Sequence, residues 1–105
     1  MVSKITDEQF AAHLAEKENV IVKFYADWCG SCRLFAPKFT KLSNKEEYQN
    51  ISFLEINAEE NPEARKLAGV NNLPFFATFK NGTLVQGDTT AKEESVEKMI
   101  QNLGV

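Results

Sequence analysis

Cysteine, histidine and tryptophan are scarce in this chain of 105 residues, which holds two Cys, one His and one Trp. A closed zinc site takes four ligands, more than two thiols and the distant His13 supply within one chain. Positive charge is not in excess either. Twelve Lys and Arg against 15 Asp and Glu leave a net charge of −3, without the basic stripe that marks a nucleic-acid surface. No apolar run approaches the length of a membrane span. The opening Met1-Val2-Ser3-Lys4-Ile5-Thr6-Asp7-Glu8 carries no apolar h-region, so the expected setting is a reducing cytoplasm. Repeats, low-complexity tracts and linkers are missing, and the length is that of one domain, predicted over residues 1–105.

What is there centres on Trp28-Cys29-Gly30-Ser31-Cys32, which contains both cysteines. It follows Val20-Ile21-Val22-Lys23-Phe24-Tyr25-Ala26, a β-branched and aromatic run that reads as a buried strand. After it, apolar residues at 34, 35, 39 and 42 draw a helical stripe. A Cys-x-x-Cys between strand and helix places a thiol at a helix N-terminus, where backbone N–H groups and the helix dipole favour thiolate. Three readings compete. A structural bridge between residues three apart constrains the unfolded chain little, and half of an intermolecular metal site lacks partners here. A redox-active dithiol fits the context best.

Along the chain, Val2–Ile5 reads as an edge strand. Thr6 and Gln9 form a capping arrangement that opens a helix through about Lys17, with His13 on its exposed surface. A helix over about residues 30–48 contains Pro37, whose ring removes one hydrogen bond. Ile51–Asn57 is a strand, Pro62 and Gly69 bracket a short helix, and Phe75–Lys80 is another strand. Asn81-Gly82 is a hairpin turn before a strand over 83–86, and an amphipathic helix spans about 92–103. This order predicts an α/β fold with a mixed central β-sheet flanked by helices on both faces.

With these residues in place, the whole chain resembles the thioredoxin family. Trp28-Cys29-Gly30-Ser31-Cys32-Arg33 is similar to the family's W-C-G-P-C-K, differing at Ser31 and Arg33. Pro37 falls where the family kinks its second helix, Leu73-Pro74 where it has a cis X-Pro bond, and Lys80-Asn81-Gly82 matches its K-N-G hairpin. The resemblance implies a thioredoxin-like fold and a protein-disulfide reductase working by thiol–disulfide exchange. Cys29, partly exposed, is the expected nucleophile; Cys32, within the first helical turn, resolves the mixed disulfide. It further implies no cofactor and no metal beyond the redox-active pair, and an electron carrier in cell redox homeostasis. The expected partners are disulfide-containing target proteins and an NADPH-dependent thioredoxin reductase, with no nucleic acid, no membrane and a monomeric state. Leu73 beside Pro74 would pair its backbone with an extended target segment. Trp28 would wall the groove, unless it packs under the loop. Thr90 stands where the family carries glycine at the rim, with a side chain that narrows the groove. Gly30 and Ser31 complete the support of the site.

Two departures stand out. Lys23 interrupts a buried strand where the family places an aspartate that takes the resolving cysteine's proton, and an unpaired ammonium there would be costly. Glu55 is charged in the middle of a second strand. The expectation is that Lys23 and Glu55 pair across adjacent strands, with Lys23 favouring thiolate and Glu55 accepting the proton; the alternative is that Lys23 snorkels outward. Ser31 restores an N–H and a hydroxyl near Cys29, which predicts a less reducing couple than a proline would give. Two other functions fit the same residues: a thiol oxidase or isomerase, and a non-catalytic binding module gripping partners with Trp28, Leu73 and Pro74.

Overall fold

The structure, a computed structural model, describes residues 1–104. Its centre is β2 (Asn19–Tyr25), in which Val20, Ile21, Val22 and Phe24 have no exposed surface. An unbroken apolar run is what a strand covered on both faces requires. On one side β2 pairs in parallel with β3 (Ser52–Asn57), which pairs in parallel with β1 (Val2–Lys4); on the other it pairs antiparallel with β4 (Phe75–Lys80). β5 (Thr83–Thr89) completes the order β1-β3-β2-β4-β5. The parallel neighbours are reached by helical crossovers through α1 (Asp7–Glu16) and α2 (Gly30–Ser43). The antiparallel pair β4 and β5 closes over Asn81-Gly82, both with positive φ, which is the left-handed backbone a two-residue hairpin demands.

Alternation along the strands divides the interior in two. Val20, Val22, Phe24, Leu54 and Ile56 face α1 and α3 (Pro62–Ala68), meeting Phe10, Ala64 and Ala68. Ile21, Phe53 and Phe76 face α2 and α4 (Glu93–Gln101), meeting Phe35, Phe39, Leu42, Val96 and Met99. Phe39 lies against both Phe53 and Phe76, with ring centroids 5.3 and 5.6 Å apart, so one helical side chain covers two strands. α1 and α3 are joined by reciprocal capping. The Asn61 side chain accepts from the Asp7 N–H at 2.8 Å, while the Asp7 carboxylate accepts from Glu63 and Ala64 N–H at 3.2 and 2.8 Å.

The mixed sheet with helices on both faces is as the sequence implies, with four local differences. The helix expected to reach Tyr48 ends at Ser43, where the Asn44 N–H turns back to Lys41 at 3.2 Å, and a separate 3-10 turn covers Glu46–Tyr48. The last strand runs three residues past Gln86, because Gly87 lets the backbone close on the Phe75 ring; a Cβ there would meet Phe75 at 2.9 Å. α4 is shorter than predicted at both ends. His13 is half-buried rather than on the open surface, and its Nδ1 has no hydrogen-bond partner among the described residues.

Register decides where the site lies. Phe24 pairs with Ile56 and with Phe75, and Phe75 pairs with Thr89, so β2 and β3 end at the same edge of the sheet where β4 begins and β5 ends. The segments 26–29, 58–61, 71–74 and 89–92 therefore crowd one end of the molecule. That end lies beyond the carboxyl ends of the parallel strands, where open α/β sheets bind their ligands.

Candidate active site

Cys29 is the N-cap of α2, and its sulfur accepts from the Cys32 N–H at 3.2 Å. The sulfur thus occupies one of the orphan donors of the helix start, where the dipole favours negative charge. Cys29 and Cys32 are joined as a disulfide. Cys29 was expected to be partly exposed, but in the bridged state it is 4% exposed and Cys32 2%. The reason is packing: the two cysteines cluster with Ala26, and Tyr25 and Leu73 pack against that cluster.

Ser31 stands beside the bridge, its hydroxyl 3.7 Å from the Cys29 sulfur. Gly30 needs its glycine neither for backbone conformation nor for space, since an added Cβ would meet nothing within 4 Å. Trp28 is 66% exposed, so it does not pack under the loop. Its indole N–H donates to the Glu59 carboxylate at 2.8 Å, which fixes the ring at the surface next to Cys29. The sequence reading missed Glu59; its only signal is its place just after β3, at the sheet end where the cysteines also lie. Arg33 donates to the Asp27 carbonyl, closing the strand-to-helix turn.

Across the bridge, the Leu73-Pro74 peptide is cis and Leu73 packs on the cysteine cluster. The Leu73 N–H donates to the Asn72 side chain at 2.9 Å. Pro74 is buried, and its carbonyl accepts from the Thr90 N–H at 3.2 Å. Thr90 is half-buried, and its hydroxyl accepts from the Lys92 N–H at 3.2 Å, serving the turn into α4. Cys29, Cys32, Trp28, Leu73, Pro74 and Thr90 are thus brought to one end of the fold.

Beneath them Lys23 and Glu55 are direct partners in the β2–β3 register, with Nζ 3.4 Å from the carboxylate. Lys23 does not snorkel outward: it is 3% exposed, while Glu55 keeps 24% of its side-chain surface. Burial lowers the Lys23 pKa from its ordinary 10.5, and the Glu55 charge and hydrogen bond oppose that shift. The Lys23 ammonium also lies 5.8 Å from the Phe39 ring centre and 5.9 Å from that of Tyr25. Glu55 reaches a cavity of about 190 Å³ that it shares with Cys32, Lys4, Tyr25, Asp27 and Arg33. The arrangement therefore puts Glu55 and Cys32 in the lining of one hollow. Among the described residues no three His, Cys, Asp or Glu side chains group as metal ligands, and no helix is long and apolar enough to cross a membrane.

Comparison with known proteins agrees with this geometry. A sequence model of the Thioredoxin family matches residues 1–103. Thioredoxin-1 of Schizosaccharomyces pombe is 31% identical over 102 residues, covering 96% of this chain and 97% of that one. Among solved structures, the thioredoxin of Malassezia sympodialis superposes with a TM-score of 0.89 at 25% identity, over 99% of this chain and 94% of the other. A thioredoxin f2 solved in complex with ferredoxin:thioredoxin reductase superposes with a TM-score of 0.88 at 28% identity, over 99% and 96%.

Proposed function

The chain belongs to the thioredoxin family and is a thiol–disulfide oxidoreductase that reduces protein disulfides; from that premise we propose the roles of its residues and its place in electron flow. Cys29 attacks the target disulfide. One target sulfur leaves as a thiol, and a mixed disulfide forms between Cys29 and the other. Cys32 then loses its proton and attacks the Cys29 sulfur, releasing the second target thiol and forming the Cys29–Cys32 bridge. Two electrons pass from the dithiol to the target. The observation that carries this reading is the cysteine pair at the start of α2, with the outer sulfur at the N-cap position.

Trp28 and the Leu73-Pro74 backbone flank the bridge and receive an extended target segment, with Thr90 at the rim. Glu55, on the cavity it shares with Cys32, accepts the proton of the resolving thiol. The protein works in the cytoplasm as a monomeric, single-domain electron carrier that needs no cofactor beyond its cysteine pair. An NADPH-dependent reductase restores the dithiol; a structural neighbour bound to a reductase supports a partner of that general kind.

An equilibrium redox titration, followed by fluorescence of the single Trp28, tests the direction of flow. A potential below the cytosolic glutathione poise, roughly −220 to −320 mV depending on the method, is the expected result. A potential above that poise would make the protein an oxidase or isomerase, the direction toward which the Ser31 hydroxyl leans. In the same titration S31P is expected to lower the potential by some tens of millivolts, ~30 mV corresponding to about 1.4 kcal/mol. Wild type should reduce a protein disulfide and C29S should not; a wild-type protein that reduces none would leave a binding module, and activity that persists in C29S would remove Cys29 as the nucleophile.

A further inference from the structure

The backbone donor that a target segment would use is already taken. The Leu73 N–H donates to Oδ1 of the preceding residue, Asn72, at 2.9 Å. That oxygen is an amide carbonyl, the same kind of acceptor that an extended target brings in its own backbone. On either side the loop is pinned. The Thr89 hydroxyl donates to Oδ1 of Asn71 at 3.3 Å, and the Thr90 N–H donates to the Pro74 carbonyl at 3.2 Å. Leu73 itself packs against the cysteine cluster. The loop is thus tied to the end of β5 and to the bridge, whereas the Asn72 side chain is exposed and can turn away without moving the backbone.

We infer that Asn72 is a specificity-determining residue for thiol–disulfide exchange, its side chain competing with the target backbone for the Leu73 N–H. The inference rests on Leu73 pairing its backbone with an extended target segment beside Cys29. An arriving segment shields the Leu73 N–H from water, so that donor needs a target carbonyl in place of the oxygen it gives up. Asn72 has to rotate out first, and only the fraction of molecules in which it has done so captures the target. An open N–H would receive the target without that step. Disulfides with no extended backbone make no use of the donor and are not held back. Asn72 therefore narrows the preference of the protein for extended peptide targets over compact disulfides.

The test mixes reduced wild type or N72A with a short peptide whose single cysteine is joined by a disulfide to pyridine-2-thiol. The Cys29 thiolate attacks the peptide sulfur and forms the mixed disulfide. The old bond breaks with its electron pair on the departing pyridinethiolate, whose absorbance gives the rate. In two analogues a trans alkene replaces one or the other peptide bond flanking the cysteine, which removes that carbonyl and N–H and keeps the chain extended. Asn72 is exposed and has no positive φ, so alanine fits its place in the loop. The quantity read is the rate with the parent peptide divided by the rate with the slower analogue. Wild type is expected to prefer the parent, and N72A to raise that ratio about threefold, the weight of one exposed hydrogen bond. Equal rates for parent and analogues in both proteins remove backbone pairing at Leu73, and the inference with it. A wild-type preference that N72A leaves unaltered keeps the docking of the target and overturns the role of Asn72. A ratio that falls in N72A shows that Asn72 assists the target, and overturns it as well.

Discussion

At the scale of single residues, Lys23 is the position where the fold opposes itself. Its ammonium is enclosed in the central strand, and Glu55 offsets that burial only in part, so its pKa lies below the ordinary 10.5. The two partners are not equivalent, because Glu55 reaches the cavity and Lys23 does not. Removing Glu55 strands a buried cation, and E55Q is expected to cost about 3 kcal/mol. K23M is expected to cost less than half as much, since Glu55 keeps its contact with solvent. K23M/E55M is expected to recover most of the loss, a buried pair being replaceable by apolar side chains. Urea unfolding of the three variants measures these differences, and equal losses in the two single variants would refute the asymmetry. The pH dependence carries an unusual sign. Well below the lowered pKa both states hold the Lys23 proton and the fold bears the full cost of burial. Between the lowered pKa and 10.5 the unfolded chain binds a proton that the folded one does not, so stability from this residue rises with pH. K23M is expected to abolish that alkaline rise.

At the scale of elements, the ends of strands and helices are set by contacts that local sequence does not announce. Gly87-Asp88 reads as turn chemistry, yet the strand continues through it because β4 offers a partner and the Phe75 ring lies against the bare glycine. G87A would press a methyl against Phe75 from 2.9 Å and approach the Ala68 carbonyl at 3.4 Å. It is expected to destabilise by about 1–3 kcal/mol, the usual cost of overpacking, measured by thermal or urea unfolding. A G87A protein as stable as wild type would mean that Phe75 yields without loss. The same distinction explains which parts of the site were legible. The Cys-x-x-Cys between an apolar strand and a helical stripe is a local pattern, and so are the Asn81-Gly82 hairpin and the Pro62 helix start. The Lys23–Glu55 pair was legible because two charges each broke an apolar run. Glu59 was not, because it does not disturb its own segment; only the meeting of 28 with 59 at the sheet end gives it a role.

At the scale of the whole molecule, the helix that carries the active site is tied to the chain's last helix by one network away from the chemistry. After α2 ends, Lys45 and Tyr48 reach α4, and both donate to Glu97, at 2.8 and 2.7 Å. These two donors hold the Glu97 pKa below its ordinary 4.5, the Lys45 ammonium contributing most. A carboxylate whose pKa is lowered by folding stabilises the fold at every pH above its ordinary value, and that contribution fades as pH falls through the lowered one. E97Q is therefore expected to be less stable than wild type at neutral pH. The gap should close on acidification below 4.5, because wild type loses the same interaction by protonation. Added salt should narrow it at neutral pH, since Lys45 is partly exposed and its attraction is screened. The network lies on the α2–α4 side of the sheet, and the bridge lies at the strand ends. Thiol–disulfide exchange in E97Q should consequently match wild type wherever the variant is folded. Unfolding curves at several pH values, read beside exchange rates at neutral pH, separate the two. A gap that persists in acid would mean that Glu97 acts by packing rather than by charge. A changed exchange rate in the folded variant would mean that α4 reaches the active site through α2.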